Sequence, residues 1–211
     1  MIPSKKEWRD ALEARHGREL QRRFSGATVA VCGLGGLGSN IAVALARAGI
    51  GRMLLIDFDK VDITNLHRQQ YKASQIGLYK TEALAENLAE IVPYTEIQTV
   101  TVKLSEEKLT TYLKDADIVC EAFDNPEAKA MLVNGVLEKL PDCYLVAASG
   151  MAGLDTPNTI MTRKIGKRFY LCGDGVSDVT DTIGLVAPRV MLCAAHQAQT
   201  VLRILAEEYE V

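Results

Sequence analysis

The chain has 211 residues, of which 48% are hydrophobic and 24% charged, a composition that fits one globular domain. Its formal net charge of −3 excludes a general attraction to nucleic acid or to an anionic membrane surface. The first residues lack the apolar stretch of a signal peptide, and no apolar run reaches the ~18 residues of a membrane span. We therefore expect a cytoplasmic protein with neither nucleic acid nor membrane as a partner.

The first third of the chain predicts a helix followed by two strands with a helix between them. Residues 5–24 have the spacing of an amphipathic helix, which Ser25 and Gly26 end. Residues 28–32 are β-branched and apolar, as in a short buried strand, and residues 39–48 form an alanine-rich helix. The next strand covers residues 53–56 and ends at Asp57.

The rest of the chain continues the alternation of helices and strands and then changes texture after Gly150. The elements predicted up to that point are a helix at 80–91, a strand at 97–102, a helix at 105–113 capped by Ser105, a strand at 117–122, a helix at 126–140 and a strand at 144–148. Two short antiparallel strands at 158–164 and 168–171, a polar loop at 173–184 and a long helix at 188–209 follow. This order predicts a single α/β domain over residues 1–211. Its Rossmann-like, open and mostly parallel sheet has helices on both faces and a short antiparallel extension near the C-terminus.

Glycines follow the first predicted strand at the spacing of a nucleotide-binding turn. Gly33 and Gly35 let the chain turn sharply and let phosphate oxygens approach backbone N–H groups, while Gly38 permits close packing of helix on strand. The helix that begins near Gly38 directs its positive end at the anion. A turn without a ligand is the alternative, but an aspartate that closes the next strand favours a nucleotide site.

Acidic, amide and basic side chains follow the second strand. Asp57 lies where a carboxylate accepts hydrogen bonds from ribose hydroxyls, and Asp59 continues the loop. Asn65 and Arg68 suit phosphate oxygens, and Lys80 adds what we expect to be an exposed, mobile charge at the start of a helix.

Asp124 follows the fourth predicted strand, at the crevice where open sheets bind ligands. Its carboxylate is the predicted ligand for Mg²⁺ on the phosphates. Several cations and a carboxylate around one glycine turn suit a nucleoside triphosphate with a metal ion better than the two phosphates of NAD. ATP and Mg²⁺ are therefore the predicted cofactors.

The region between residues 27 and 125 resembles the ThiF/MoeB adenylyltransferases, which are relatives of ubiquitin-activating enzymes. The matching positions are Gly33-x-Gly35-Gly36-Leu37-Gly38, Asp57-x-Asp59-x-Val61, Thr64-Asn65-Leu66-His67-Arg68-Gln69, Lys80 and Asp124, with Asn125 directly after it. Thr64 replaces the serine that is usual in this family and keeps the hydroxyl. A looser match, Gly184-Leu185-x-Ala187-Pro188-Arg189, points to the shorter ThiF-like proteins.

The resemblance implies that the enzyme activates the C-terminal glycine of a small ubiquitin-like sulfur carrier such as ThiS, by adenylylation with ATP, in thiamine biosynthesis. Arg68, Lys80 and Asp124 are its expected catalytic residues. The expected nucleotide contacts come from Gly33, Gly35, Gly36, Gly38, Asp57, Asp59, Thr64, Asn65, Leu66, His67 and Asn125. His67 is not expected to transfer protons.

The resemblance also implies a homodimer, in which an N-terminal arginine enters the partner's site. Arg15 is the nearest match and Arg18 the alternative, while a solvated helix face is the competing interpretation. On this pattern residues 1–26 are an N-terminal helical segment, 27–150 the nucleotide-binding core and 151–211 the extension for carrier binding and dimerisation.

Cysteines in the chain number five and are widely scattered, without a Cys-x-x-Cys pair. This pattern argues against a disulfide framework and against the paired zinc ligands of many relatives, so we predict no structural zinc and a reducing environment. Some relatives use a loop cysteine to hold the activated carrier or its sulfur, and Cys172 precedes the polar loop in a comparable region. Since no neighbouring residue would lower the pKa of its thiol, a catalytic role is not the favoured interpretation. The loop acids, for which we expect solvation, are Asp174, Asp178 and Asp181.

Other functions remain open from the sequence. An NAD-dependent oxidoreductase would explain the glycine turn and Asp57, but it would leave Arg68 and Lys80 without a role. Activation of a tRNA-bound carboxylate, as in threonylcarbamoyladenosine dehydratases, keeps the ATP chemistry, although the chain has no large basic tract. A non-catalytic dimerisation partner typically lacks the arginine and lysine found here.

Overall fold

A computed structural model describes residues 2–180 and 183–211. Its centre is one seven-stranded sheet with the order β3-β2-β1-β4-β5-β7-β6. The strands are β1 Thr28–Cys32, β2 Arg52–Asp57, β3 Glu96–Thr101, β4 Ile118–Glu121, β5 Tyr144–Ala148, β6 Met161–Gly166 and β7 Phe169–Gly173. All neighbouring pairs are parallel except β6 and β7, which pair antiparallel.

Helices cover both faces of this sheet. They are α1 Lys5–His16, α2 Arg18–Gly26, α3 Gly36–Ala48, α4 Lys80–Ile91, α5 Glu106–Leu113, α6 Pro126–Lys139 and α7 Ala187–Leu205. Alternation along β1 sends Val29 and Val31 to the face covered by α3, α4 and α7, whereas Ala30 and Cys32 face α5 and α6. The predicted α/β sheet with an antiparallel extension is confirmed. No helix within residues 2–180 and 183–211 combines the length and the hydrophobicity of a membrane span.

The strand order reverses between β1 and β4, and this reversal places the site. From β1 the chain winds outward through β2 to β3, and it then returns to place β4 on the other side of β1. The loops that leave the carboxyl ends of these two central strands therefore diverge and open a crevice. The glycine turn follows β1 and Asp124 follows β4, so both lie at that crevice.

Three predicted helix boundaries are wrong. The helix predicted over 5–24 is two helices, α1 and α2, because Gly17 adopts φ 83° and ψ 148° between them. The last helix ends at Leu205 rather than 209, since Glu207 turns the chain with φ 63° and Tyr209 then stacks on Tyr144 at 5.8 Å. α3 begins at Gly36 rather than Ser39, so the glycine turn itself forms the first helical turn.

The antiparallel extension is present but shifted along the chain. β6 starts at Met161, since residues 157–159 form a short helical turn where a strand was predicted. β7 runs on to Gly173 and includes Cys172. Ser105 precedes α5 as predicted, although its side chain makes no capping hydrogen bond.

Candidate functional site

The glycine turn connects β1 to α3 at the floor of the crevice. Gly33 has φ 91°, and a Cβ at this position would lie 2.7 Å from the carbonyl oxygen of Ala122. A Cβ on Gly38 would lie 1.8 Å from the carbonyl oxygen of Gly33, so these two positions require glycine for packing alone. Gly35 faces open space, with only the amide nitrogen of Gln69 near, at 3.7 Å. The backbone N–H groups at the start of α3 consequently stand at an accessible helix N-terminus, which suits an anion.

Asp57 ties the end of β2 to the glycine turn. Its Oδ2 atom accepts the Leu34 N–H at 2.6 Å, and its Oδ1 atom accepts the Asp59 N–H at 2.8 Å. Burial raises the pKa of Asp57, while the nearby Lys80 charge and these two amides oppose the rise. A ribose hydroxyl would have to use the remaining lone pairs of this carboxylate, and that role stays a prediction.

Lys80 is buried, so the expectation of an exposed, mobile charge is wrong. Its Nζ atom lies 2.9 Å from Oδ2 of Asp59, whose side chain is 48% exposed. The Lys80 backbone N–H also donates to the Asp59 carbonyl, which seats the start of α4 beside the loop that follows β2. The ammonium group is therefore held in a fixed position at the edge of the crevice.

Arg68 lies along the first turn of α3, where its side-chain carbons come within 3.5 Å of a Cβ built on Gly36. Nη1 donates to the Thr64 carbonyl at 3.1 Å, but the buried Nε atom has no hydrogen-bond partner. An unpartnered buried N–H is costly, and an anionic oxygen at the glycine turn would satisfy it. The residues present thus fit a phosphate group.

Hydrogen bonds among its own polar residues stabilise the segment 62–68, which carries Arg68. The Asn65 side-chain oxygen accepts the Asp62 N–H at 3.0 Å, and the Thr64 hydroxyl donates to Asp62 at 2.7 Å. Leu66 packs partly into the core. His67 lies 3.3 Å from the carbonyl of Leu185, before α7, so it links two loops. Its lack of a proton-transfer role stays a prediction.

The turn between β4 and α6 forms the other wall of the crevice. Asp124 is exposed and makes no hydrogen bond or ion pair to any described residue. Asn125 caps α6 by accepting the Ala128 N–H at 2.8 Å, so its predicted nucleotide contact would have to come from its amide N–H₂.

Magnesium would fit this wall only together with the nucleotide. Mg²⁺ is usually held by one or two carboxylates together with substrate phosphates and water, and Asp124 can supply one such carboxylate. No cluster of three or more metal-binding side chains occurs within the described ranges, so nothing there resembles an all-protein metal cage. The expected absence of zinc stays a prediction.

Some predicted residues lie away from the crevice. Arg15 is exposed on α1, and the groove that α1 forms with Gly51, Arg52 and Glu96 lies at the amino ends of β2 and β3. The crevice opens at the carboxyl ends, so Arg15 does not reach it within one chain. Arg18 pairs instead with Glu13 at 3.5 Å.

Of the loop acids, Asp174 departs from the expected solvation, whereas Asp178 is exposed. Asp174 is buried, and although burial opposes it, hydrogen bonds from Ser177, Val176 and Arg189 lower its pKa to about 2. Asp178 bonds to Thr180 within the loop, and Asp181 lies outside the described residues. Cys172 lies inside β7 with no exposed surface, and burial raises the pKa of its thiol. In this structure Cys172 is a core residue.

Arg189 organises the region after β5, a structural role that the sequence did not predict. It donates to the carbonyls of Ala152, Asp155 and Thr156 and to the side chain of Asp174. Arg189 belongs to the motif matched before α7, but the motif does not indicate partners that lie 15 to 37 residues away along the chain.

Comparison with known proteins finds similar sequences and folds over most of the chain. The sequence matches the ThiF family over residues 9–211. It is 30% identical over 190 residues to the molybdopterin-synthase adenylyltransferase of Haemophilus influenzae, covering 87% of this chain and 76% of the relative. It is 35% identical over 153 residues to the tRNA threonylcarbamoyladenosine dehydratase of Bacillus subtilis, covering 72% of this chain but only 59% of that protein.

Solved structures share the whole fold. The E. coli tRNA N6-threonylcarbamoyladenosine dehydratase, solved in complex with ATP, superposes with a TM-score of 0.87 at 22% identity and covers 99% of this chain and 98% of its own. The E. coli protein MccB superposes with a TM-score of 0.69 at 23% identity, covering 90% of this chain and 59% of its own. At these identities the likeness concerns the fold.

Proposed function

Because this chain belongs to the ThiF family and is an adenylyltransferase, we propose that it activates the C-terminal glycine of a ubiquitin-like sulfur carrier of the ThiS type. The pathway we expect is thiamine biosynthesis. The observation that supports ATP chemistry most directly is the buried, unpartnered Nε of Arg68 beside the glycine turn. Relatives named as adenylyltransferases and a similar fold solved with ATP support the same cofactor.

The reaction needs positioning rather than a general base. The C-terminal carboxyl of a carrier has an ordinary pKa of ~3.5 and is ionised at neutral pH. Its oxygen attacks the α-phosphorus of ATP, the bond from that phosphorus to the bridging oxygen breaks, and pyrophosphate leaves with the electron pair. Negative charge moves toward the phosphate oxygens, where fixed cations and N–H groups stabilise it.

We assign a separate role in this reaction to each group in the crevice. The N–H groups at the start of α3 and the guanidinium of Arg68 bind phosphate oxygens. Lys80, fixed by Asp59, supplies a second cation. Asp124 would hold Mg²⁺, which neutralises the charge of the triphosphate when it is bound. Residues 151–211 are the proposed surface for the carrier and for dimerisation.

Activation of a tRNA-bound carboxylate is the second candidate. It is favoured by the 35% identity to the Bacillus subtilis dehydratase and by the full-length superposition on the E. coli dehydratase. The net charge of −3 counts against it, because tRNA binding draws on positive charge. Both candidates use the same ATP crevice and differ in the acceptor.

Exchange of labelled pyrophosphate into ATP, with Gly-Gly-ending carriers or with tRNA as the added substrate, tests the proposal. We expect exchange with a carrier and none with tRNA. Arg68→Ala and Asp124→Ala should abolish the exchange, because each removes a group proposed to act on the phosphates, while circular dichroism stays unchanged.

Arg47→Ala is the matched control, since Arg47 is exposed at the opposite end of α3 and should leave the exchange at the wild-type rate. Exchange at the wild-type rate in the Arg68 or Asp124 variant would refute the site assignment. Exchange that depends on tRNA alone would instead favour the second candidate.

A further inference from the structure

Glu121, the last residue of β4, is a buried carboxylate that has no role in the proposed reaction. Its side chain is 1% exposed, and its charge is met by Lys129 of α6. Nζ of Lys129 lies 2.9 Å from Oε2 and 3.0 Å from Oε1, so the ammonium group contacts both carboxylate oxygens. The pair stands at the carboxyl end of the strand that leads to Asp124.

The pair holds both backbone polar groups of Phe123. Oε1 of Glu121 accepts the Phe123 N–H at 2.7 Å, and Nζ of Lys129 donates to the Phe123 carbonyl at 2.8 Å. Phe123 is the residue directly before Asp124. The two charges therefore fix the last stretch of backbone from which the Asp124 carboxylate projects.

The same turn touches the glycine turn. The Ala122 carbonyl lies 2.7 Å from the position of a Cβ on Gly33, and the Ala122 N–H donates to the Cys32 carbonyl at 2.8 Å. A shift of Phe123 would thus move Asp124 relative to the backbone that faces the phosphates.

Charge is a costly way to join a strand to a helix at a buried site. Burial raises the pKa of Glu121, and Lys129 opposes that rise. Apolar residues of similar volume often pack as stably as a buried ion pair, so stability alone gives no reason for charges here. What apolar residues would lack is directional bonding to the N–H and carbonyl of one residue.

We propose that Glu121 and Lys129 are positioning residues that set the place of Asp124 against the glycine turn and so tune metal-dependent nucleotide binding. This inference rests on the proposed function, in which Asp124 holds Mg²⁺ on the phosphates. It predicts that substitutions in the pair weaken the binding of ATP only when Mg²⁺ is present.

The test is calorimetric binding of a non-hydrolysable ATP analogue to the full chain, with Mg²⁺ and again with a chelator. The double variant Glu121→Gln/Lys129→Met removes both charges, leaves an acceptor for the Phe123 N–H and loses the donor to its carbonyl. We expect its Kd with Mg²⁺ to rise about tenfold, the size of effect seen when groups supporting a metal ligand are removed. The Kd in chelator should equal that of the wild type. In an Asp124→Asn background the same double substitution should change neither Kd.

Lys139→Met is the matched control, because Lys139 lies at the far end of α6 in an ion pair with Glu106 at 2.7 Å. It should leave both Kd values unchanged. Lys129→Arg is the second variant, for use if the double variant does not fold, and it should show a smaller loss with Mg²⁺ only.

The Mg²⁺ effect in the wild type and its change in the variants test different claims. If the wild type binds the analogue no better with Mg²⁺ than without it, the role of Asp124 in the proposed function fails. If the wild type shows the Mg²⁺ effect and the folded variants match it, the positioning inference is overturned. An equal loss with and without Mg²⁺ would overturn it too, because that pattern means a structural role alone.

Discussion

Asp174 and Arg189 form a buried ion pair at the base of the loop that follows β7. Nη2 of Arg189 lies 2.6 Å from Oδ2 of Asp174, and the Asp174 carboxylate also accepts the N–H groups of Val176 and Ser177. These bonds satisfy a charge that burial would otherwise penalise, and they fold the chain back toward α7. The pair is structural support for the region where we place the carrier.

This pair predicts a pH dependence of stability. The folded-state pKa of Asp174 is lowered to about 2 from an ordinary 3.8, so its contribution is present above ~3.8 and is lost as the pH falls toward 2. Asp174→Asn should reduce the free energy of unfolding by about 2 kcal/mol at pH 7, from the size of that shift. In urea titrations the difference from wild type should shrink between pH 4 and pH 2.

The exposed carboxylate of Asp142 provides the control, and Asp142→Asn should track the wild type throughout. A difference between Asp174→Asn and wild type that stays constant down to pH 2 would mean that the lost carboxylate charge is not what stabilises the loop.

Gly17 decides the geometry of the N-terminal element. Its φ of 83° separates α1 from α2, and nothing lies within 4 Å of a Cβ at this position. α1 can therefore fold back along the amino ends of the strands, and the Gln21 amide of α2 donates to the Gly49 carbonyl at 3.2 Å. An unbroken helix over 5–24 would carry α1 away from that groove.

The break between α1 and α2 predicts different effects for two alanine substitutions. Gly17→Ala should destabilise the fold by about 1 kcal/mol, because a side chain at this φ is strained and no contact compensates. Gly26→Ala, in the last turn of α2, also meets nothing within 4 Å but has no positive φ, so it should be neutral or slightly stabilising. Urea unfolding of the two variants measures the difference, and equal midpoints would contradict the backbone explanation.

At the scale of the whole molecule, Arg15 and the crevice lie at opposite ends of the sheet. α1 lines a groove with Gly51 and Arg52 at the amino ends of the strands, while the glycine turn leaves the carboxyl end of β1. If Arg15 acts on ATP, only a second copy of the chain can deliver it. The homodimer is therefore part of the proposed mechanism.

Mixing two inactive variants tests this arrangement. Arg15→Ala and Arg68→Ala should each be inactive in pyrophosphate exchange. Random mixed dimers at equal concentration should recover about a quarter of the wild-type rate, because each mixed dimer contains one intact site. Mixing Arg68→Ala with Asp124→Ala is the control, since both residues act in their own chain and no intact site forms. Recovery that is equal in both mixtures, or absent from both, would exclude action of Arg15 in the partner's site.

Local sequence patterns were sufficient to predict most of the strands and helices of this molecule. The strand, turn and strand of a nucleotide-binding unit were predicted from the β-branched run at 28–32, the spaced glycines and the aspartate that ends β2. The mostly parallel sheet was predicted from the alternation of strands and helices. These signals depend on residues near in sequence, whose spacing matches the period of a helix, strand or turn. Even so, Gly17 shows where they fail, because glycine is compatible with a helix until tertiary contacts require a turn.

The amino-acid sequence by itself therefore determined the fold class and the family, and it placed the glycine turn and Asp124 after the two strands that flank the crevice. Only the tertiary structure decided which polar side chains are buried and bonded within the protein and which face solvent. Lys80 and Asp174 were expected in solvent and are buried. No sequence pattern predicted the ion pair of Glu121 and Lys129, which forms because α6 packs against the end of β4. The physical reason is that desolvation and ion pairing depend on which elements pack against a residue, and sequence spacing does not carry that information.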